Sequence, residues 1–136
     1  MERTYTFVLD KKIVLNSNKR MHHMAHAVAA RSLREYAYSV YTEENGGKPY
    51  SEPLFHLFGI EVLVFPPTKR RLDPTNLQPT VKPLIDAGSN SDRPGEKSCG
   101  LWEDDDWKHL NYVTFKYGGL SGIKDTYKIV FRVKEL

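Results

Sequence analysis

Apolar and polar positions alternate from Arg3 to Leu9 in RTYTFVL, and the residues are β-prone, so this stretch predicts a strand. A short extended piece, KIVL, follows, and then a polar turn, NSNKR, from Asn16 to Arg20. From Met21 to about Tyr41 the period changes. Ala25, Ala29, Leu33, Tyr36 and Val40 recur at spacings of three and four and predict one apolar stripe on a helix. Arg31, Arg34 and Glu35 lie off that stripe. ENGGKPYSEP is a loop of strong breakers. LFHLFGIEVLVF, from Leu54 to Phe65, is almost all β-branched, aliphatic or aromatic and predicts a largely buried strand bent at Gly59. His56, inside this run, is expected in the core or at a sheet edge.

Pro66-Pro67 ends that strand. Asp73-Pro74 then suits a helix start, with Asp as the capping residue and Pro at the first helical position. Pro79 and Pro83 lack the N–H that an interior helical residue donates, so a kinked or broken helix is expected from about Pro74 to Ala87. GSNSDRPGEKSCG is a long polar loop, LWEDDDWKH an acidic turn, and LNYVTFKY and TYKIVFRV two alternating strands. The glycine-rich GGLSGIKD between them reads as a hairpin connection. Together these elements predict an α+β (α/β) chain, with a mixed sheet of about four or five strands and two main helices packed on it. No internal repeat or linker breaks the chain, and at 136 residues one domain is expected over residues 1–136.

Composition changes this picture little. Hydrophobic content of 40% and charged content of 27% are ordinary for a globular chain. No apolar run approaches the roughly 18 residues of a membrane span, so no membrane partner is expected. Charges interrupt the short apolar stretch at the start, which does not read as a signal peptide. The lone cysteine, Cys99, rules out an internal disulfide framework and a Cys-rich zinc site. A cytoplasmic location follows as an expectation. The net charge of +3 permits a polyanionic partner without demanding one.

Candidate chemistry centres on two segments. Asp104, Asp105 and Asp106 are three adjacent like charges, which a solvated turn tolerates. Trp102 and Trp107 flank them and are expected to pin the turn, and carboxylates held together favour a divalent cation. Mg²⁺ takes one or two carboxylates, keeps several waters and binds phosphate oxygens. Asp73 and Asp86 are the candidates for a further carboxylate. Asp86 follows Lys82 by four residues, the spacing of a helical ion pair. Lys82 could instead offer its ammonium to a scissile phosphate. Asn76 could orient a carboxylate or a water. The run Lys69, Arg70, Arg71 is ordinarily solvated surface, but beside carboxylates it becomes a phosphate clamp. His22 and His26 stand four apart, yet without an intervening Glu or a nearby Cys they do not make a zinc protease motif. Near Asn18 and Arg20 they fit a polar patch facing substrate. No P-loop, dinucleotide fingerprint or nucleophile elbow is present.

The segments LNSNKRMHHMAHAVAARSLR, RRLDPTNLQPTVKPLIDAG and GLWEDDDWKHL, in this order, resemble the RusA family of Holliday junction resolvases, in the form carried by bacteriophages and prophages. The resemblance runs roughly from Leu15 to Leu110. It implies a small homodimeric α/β endonuclease that binds four-way DNA junctions and nicks two strands with Mg²⁺, Mn²⁺ serving as substitute, in DNA recombination or repair. The family motif places its first Asp at Asp73, Asn-Leu at Asn76 and Leu77, its Lys at Lys82, the next Asp at Asp86, and its acidic pair at Asp105 and Asp106. On this resemblance Asp73, Asp86, Asp105 and Asp106 are the metal ligands and, with Lys82, the catalytic set. Asn18, Arg20, Lys69, Arg70, Arg71 and Asn76 contact DNA. The chain departs from the family motif at Thr75, where a second Asp is usual, and by the three residues between Gln78 and Lys82. Two alternatives stand beside the nuclease: a branched-DNA binding module with weakened catalysis, and a metal-dependent nickase acting on other DNA intermediates. A phage-encoded chain would act in the bacterial host cytoplasm.

Overall fold

The structure is a computed structural model that describes residues 1–17, 21–90 and 97–136. Four strands form one mixed sheet: β1 (Glu2–Asp10), β2 (Phe58–Phe65), β3 (Leu110–Tyr117) and β4 (Thr126–Glu135), in the order β1-β4-β2-β3. Helix α1 (His23–Thr42) connects β1 to β2, and helix α2 (Gln78–Asp86) lies between β2 and β3. β4 runs antiparallel to both β1 and β2, whereas β2 and β3 are parallel. This is the expected α+β class with four strands and two main helices. None of the described helices is long and apolar enough to cross a membrane.

Alternation fixes which strand face is buried. Tyr5, Phe7 and Leu9 of β1 are buried while Thr4, Thr6 and Val8 are exposed. On β4, Ile129, Phe131 and Val133 turn the same way, and Phe7 stands opposite Ile129 while Tyr5 stands opposite Phe131. Ile60, Val62 and Val64 continue this face across β2. Each such large side chain contributes about 1.5–3 kcal/mol by leaving water. Aromatic edges lock the layer: Phe7 and Phe131 have ring centroids 4.9 Å apart, and Tyr41 of α1 meets Tyr5 edge-on at 4.9 Å. The opposite face carries charge, with Glu61 held by Lys116 at 2.9 Å and by Arg132 at 3.1 Å.

Several expectations need correction. The last two strands do not form a hairpin. The link after β3 carries the chain across to β4, on the far side of β2. The predicted strand from Leu54 begins only at Phe58, with a register irregularity between Phe58 and Gly59. His56 is exposed outside it, and its backbone N–H donates to Glu135. The stripe that α1 buries is Leu33, Ala37 and Tyr41, while Ala25 is exposed. Spacings of three and four fit several neighbouring faces of an alanine-rich helix, and the large Leu33 and Tyr41 decide between them. KIVL is not extended throughout, because Lys11–Ile13 form a 3₁₀ turn capped by Asp10.

The second helix is divided as expected, but ahead of Pro79 and not at Pro83, which sits inside α2. Pro74–Leu77 form a 3₁₀ turn, and α2 begins at Gln78. Pro79 falls in the first turn, where an N–H has no helical acceptor in any case. Asp73 occupies the capping position, but its side chain makes no capping hydrogen bond. Thr80 instead bonds to a distant stretch of backbone. Its hydroxyl accepts from Leu15 N–H at 2.7 Å and donates to Leu15 C=O at 2.6 Å, both buried. Tyr41 Oη donates to Leu84 C=O at 2.6 Å. These bonds tie α2 to the chain before α1 and to α1 itself.

Candidate functional site

The site begins with helical spacing. Lys82 and Asp86 are one turn apart on α2, and Lys82 Nζ donates to Asp86 Oδ1 at 2.8 Å. Asp105, more than a dozen residues further on, bonds to the same ammonium. One cation from the middle of a helix thus joins a carboxylate at its end to a carboxylate from the acidic turn.

Backbone bonding brings the turn there. After α2 the chain runs on as Ala87–Asn90, alongside the segment from Cys99 to Glu103. Cys99 N–H donates to Ala87 C=O at 2.8 Å, Gly100 N–H to Ser89 C=O at 3.1 Å, Trp102 N–H to Gly88 C=O at 3.0 Å and Asn90 N–H to Glu103 C=O at 3.3 Å. On its other side this segment accepts from Tyr50 and Leu54. Trp102 is fully buried and stacks on Phe58 with ring centroids 4.8 Å apart. Gly88 is required here, because a Cβ would overlap the Trp102 indole. Trp102 therefore anchors the turn as expected, but Trp107 is 81% exposed and pins nothing. Cys99 is buried in this seam, which pushes its thiol up to about 11.

The three acidic residues of the turn have separate partners. Asp104 Oδ1 accepts from Asp105 N–H at 2.8 Å. Asp105 faces Lys82. Asp106 Oδ1 is 2.6 Å from His109 Nδ1 and accepts from Lys108 N–H at 3.1 Å. His109 Nε2 lies 3.4 Å from Glu103, and His109 C=O accepts from Phe58 N–H at 2.8 Å. The like charges are thus spread over an ammonium, an imidazole and backbone amides.

Electrostatics distinguishes the two carboxylates on Lys82. Partial burial pushes the Asp86 carboxyl above the usual range, and the Lys82 bond only partly opposes this. Burial acts the same way on Asp105, but there the Lys82 hydrogen bond and charge, helped by Asp104 and Asp86, outweigh it and hold the carboxyl below the usual range. Burial alone would lower the Lys82 ammonium, yet its bonds to Asp105 and Asp86 raise it. At neutral pH the cluster therefore holds a charged lysine and an ionised Asp105, with Asp86 the group nearest to taking up a proton.

Beside Lys82, between α1 and α2, lies a cleft of about 430 Å³. Its polar lining comes from Ser17, His26, Arg34, Gln78, Lys82 and Asp86. Ala30, Pro79 and Pro83 supply apolar wall. Arg34 was not singled out by the sequence pattern. The available signal was its position four residues after Ala30 and eight after His26, on the same helical face.

The remaining candidates lie apart from this cluster. Asp73 is exposed and makes no side-chain hydrogen bond or ion pair among the described residues. Lys69, Arg70 and Arg71 are exposed in the bend between β2 and the 3₁₀ turn. Asn76 is anchored by its backbone carbonyl, which accepts from Ser17 N–H at 2.8 Å and from Ser17 Oγ at 3.2 Å. That contact ties the RRLDPTN segment to Ser17. Asn18 and Arg20 themselves lie outside the described residues.

Among the described residues no group of three or more His, Cys, Asp and Glu side chains is arranged to hold a metal ion. Asp86 and Asp105 form a two-carboxylate donor set already converging on one cation. Mg²⁺ needs only one or two protein carboxylates, because water and phosphate oxygens complete its shell, but here both carboxylates are engaged by the Lys82 ammonium. The set does not fit an all-protein cage. In comparisons with known proteins, no family model matches the chain and no curated protein sequence does.

Proposed function

We propose that this protein is a Mg²⁺-dependent, structure-specific endodeoxyribonuclease that acts as a homodimer and resolves four-way DNA junctions by paired phosphodiester hydrolysis. The observation that carries the reading is the convergence of Asp86 and Asp105, from separate segments, on Lys82 at the edge of a cleft. The resemblance of the motif segments to junction resolvases supplies the substrate.

Asp86 and Asp105 would hold the Mg²⁺, with Asp73 and Asp106 assigned as further ligands on the resemblance alone. The ion supplies an activated water and charge stabilisation at the leaving oxygen. Lys82 donates to a non-bridging or leaving oxygen of the scissile phosphate, where negative charge grows in the transition state. Asp105 enters the reaction ionised, its carboxyl held below the usual range against partial burial by Lys82, Asp104 and Asp86. Asp86, one turn further along α2, shares the Lys82 ammonium with Asp105. Lys69, Arg70 and Arg71 contact flanking phosphates, joined by Asn18, Arg20 and Asn76. Two copies related by a two-fold axis match the symmetry of a junction and of its two cuts.

One observation favours the second reading, a branched-DNA binding module. The donor set on the described residues stops at two carboxylates, both engaged by Lys82. Cleavage separates the two. A four-way junction with a mobile core and a linear duplex of the same sequence are incubated with Mg²⁺ or with EDTA. Symmetric paired nicks on the junction, with Mg²⁺ only, are expected. Tight junction binding without nicks, in Mg²⁺ and in Mn²⁺ over varied core sequences, would establish the binding module instead.

A further inference from the structure

Arg34 projects from α1 into the cleft that Lys82 and Asp86 border. Its Nε is buried and has no hydrogen-bond partner. Among the described residues Arg34 makes no ion pair either. A guanidinium cannot shed its proton, so this group carries full charge with one edge removed from water and uncompensated. Such an arrangement costs stability unless an acceptor arrives. The other cation of the cleft, Lys82, is already engaged by two carboxylates. Asp86 is the carboxylate of the described lining, and its Oδ1 is taken up by Lys82 at 2.8 Å. The positive charge left for an incoming ligand therefore rests on Arg34, with Gln78 and His26 as further polar groups and a proline and alanine wall beside them.

We propose that the cleft is a phosphate subsite in which Arg34 grips a backbone phosphate of the nucleic acid next to the one that Lys82 meets. Resting on the nuclease reading, it extends that reading by fixing where the strand runs: between α1 and α2, across Ala30 and Pro83, rather than only over the basic bend at Lys69 to Arg71. A planar guanidinium suits two oxygens of one phosphate. The buried Nε edge of Arg34 would regain an acceptor in that contact. Arg34 is on this account a binding and positioning residue, not one that touches the reacting bond.

The test measures binding of a four-way junction in EDTA, by fluorescence anisotropy over a salt series, for the wild type, Arg34→Ala and Arg34→Lys. For the alanine variant we expect about a tenfold loss of affinity, and a fall of about one in the slope of log affinity against log salt, as one phosphate contact predicts. Arg34→Lys should keep the slope and recover part of the affinity. Thermal unfolding should show the alanine variant as stable as the wild type or more so, since an uncompensated charge is removed. A second arm follows the Arg34 Nε–Hε resonance while inorganic phosphate is added. A shifted resonance is expected. If the wild type binds the junction and Arg34→Ala binds it with equal affinity and slope, the subsite is wrong and the nuclease reading stands. If the wild type binds no nucleic acid but phosphate moves the Arg34 resonance, the nuclease reading falls and the cleft remains an anion site. No binding and no shift overturns both.

Discussion

Lys82 is the residue on which the site turns. Its ammonium holds together two carboxylates that would otherwise repel, and it holds the Asp105 carboxyl below the usual range. Lys82→Met should lower junction cleavage by about 100-fold or more, as loss of a charge-stabilising donor does, while EDTA-quenched junction binding stays within a few-fold. A gel cleavage assay beside an anisotropy titration checks both. Asp105→Asn should likewise retain binding and lose cleavage. His109 gives a pH signature in stability. Its bond to Asp106 raises the imidazole, and the same bond lowers the Asp106 carboxyl. The histidine contribution is present in full below the ordinary imidazole value of about 6.5 and disappears as pH rises through its raised value. The carboxylate contribution is present above the ordinary carboxyl range and disappears as pH falls through the lowered value. Asp106→Asn should therefore reduce the melting temperature more at pH 6 than at pH 9. An equal effect at both values would mean that the pair does not titrate as described.

At the scale of elements, the seam between Ala87–Asn90 and Cys99–Glu103 decides whether the site exists. Gly88→Ala forces a methyl into the buried Trp102 ring and should cost about 1–3 kcal/mol, read from denaturant unfolding. Cleavage should fall with it, because the seam carries Asp105 to Lys82. Thr80→Val removes both bonds to Leu15 while preserving shape, and leaving those backbone groups unpaired should cost about 1–3 kcal/mol. What the sequence disclosed follows from range. β1, β2, β3 and β4 were legible because alternation and β-branching are local. The break before α2 was legible because proline acts on its own backbone, and Lys82–Asp86 because four residues make one turn. Strand order was not, since GGLSGIKD reads like a hairpin whether the next strand pairs beside β3 or beyond β2. The meeting of Asp105 with Lys82 was illegible for the same reason: it depends on backbone bonds between Ala87–Asn90 and Cys99–Glu103, which no side-chain spacing encodes. Arg34 escaped notice because an arginine off the apolar stripe looks like solvated surface until the neighbouring helix covers it.

At the scale of the whole molecule, β4 is the strand on which the sheet depends, since among the described residues β1 bonds to no other strand and β2 bonds to β4 along its length. Ending the chain before Thr126 should abolish cooperative unfolding, in a melt followed by near-ultraviolet circular dichroism, even though α1 and β1–β3 remain. A sharp transition in that truncated chain would show that β2, β3 and the helices form a self-sufficient unit. The same topology bears on how the molecule is made. β4 is the last of the four strands to leave the ribosome, so β1 must wait for almost the entire chain before it finds its neighbour. Until then two strand edges, one on β1 and one on β2, stand open, and the aromatic layer of Phe7, Tyr5 and Tyr41 lacks Phe131. Pairings this distant in sequence close slowly and leave such edges available to other chains. Aggregation of the nascent protein should therefore rise the longer the final strand takes to slot between β1 and β2, read as the soluble fraction at high expression.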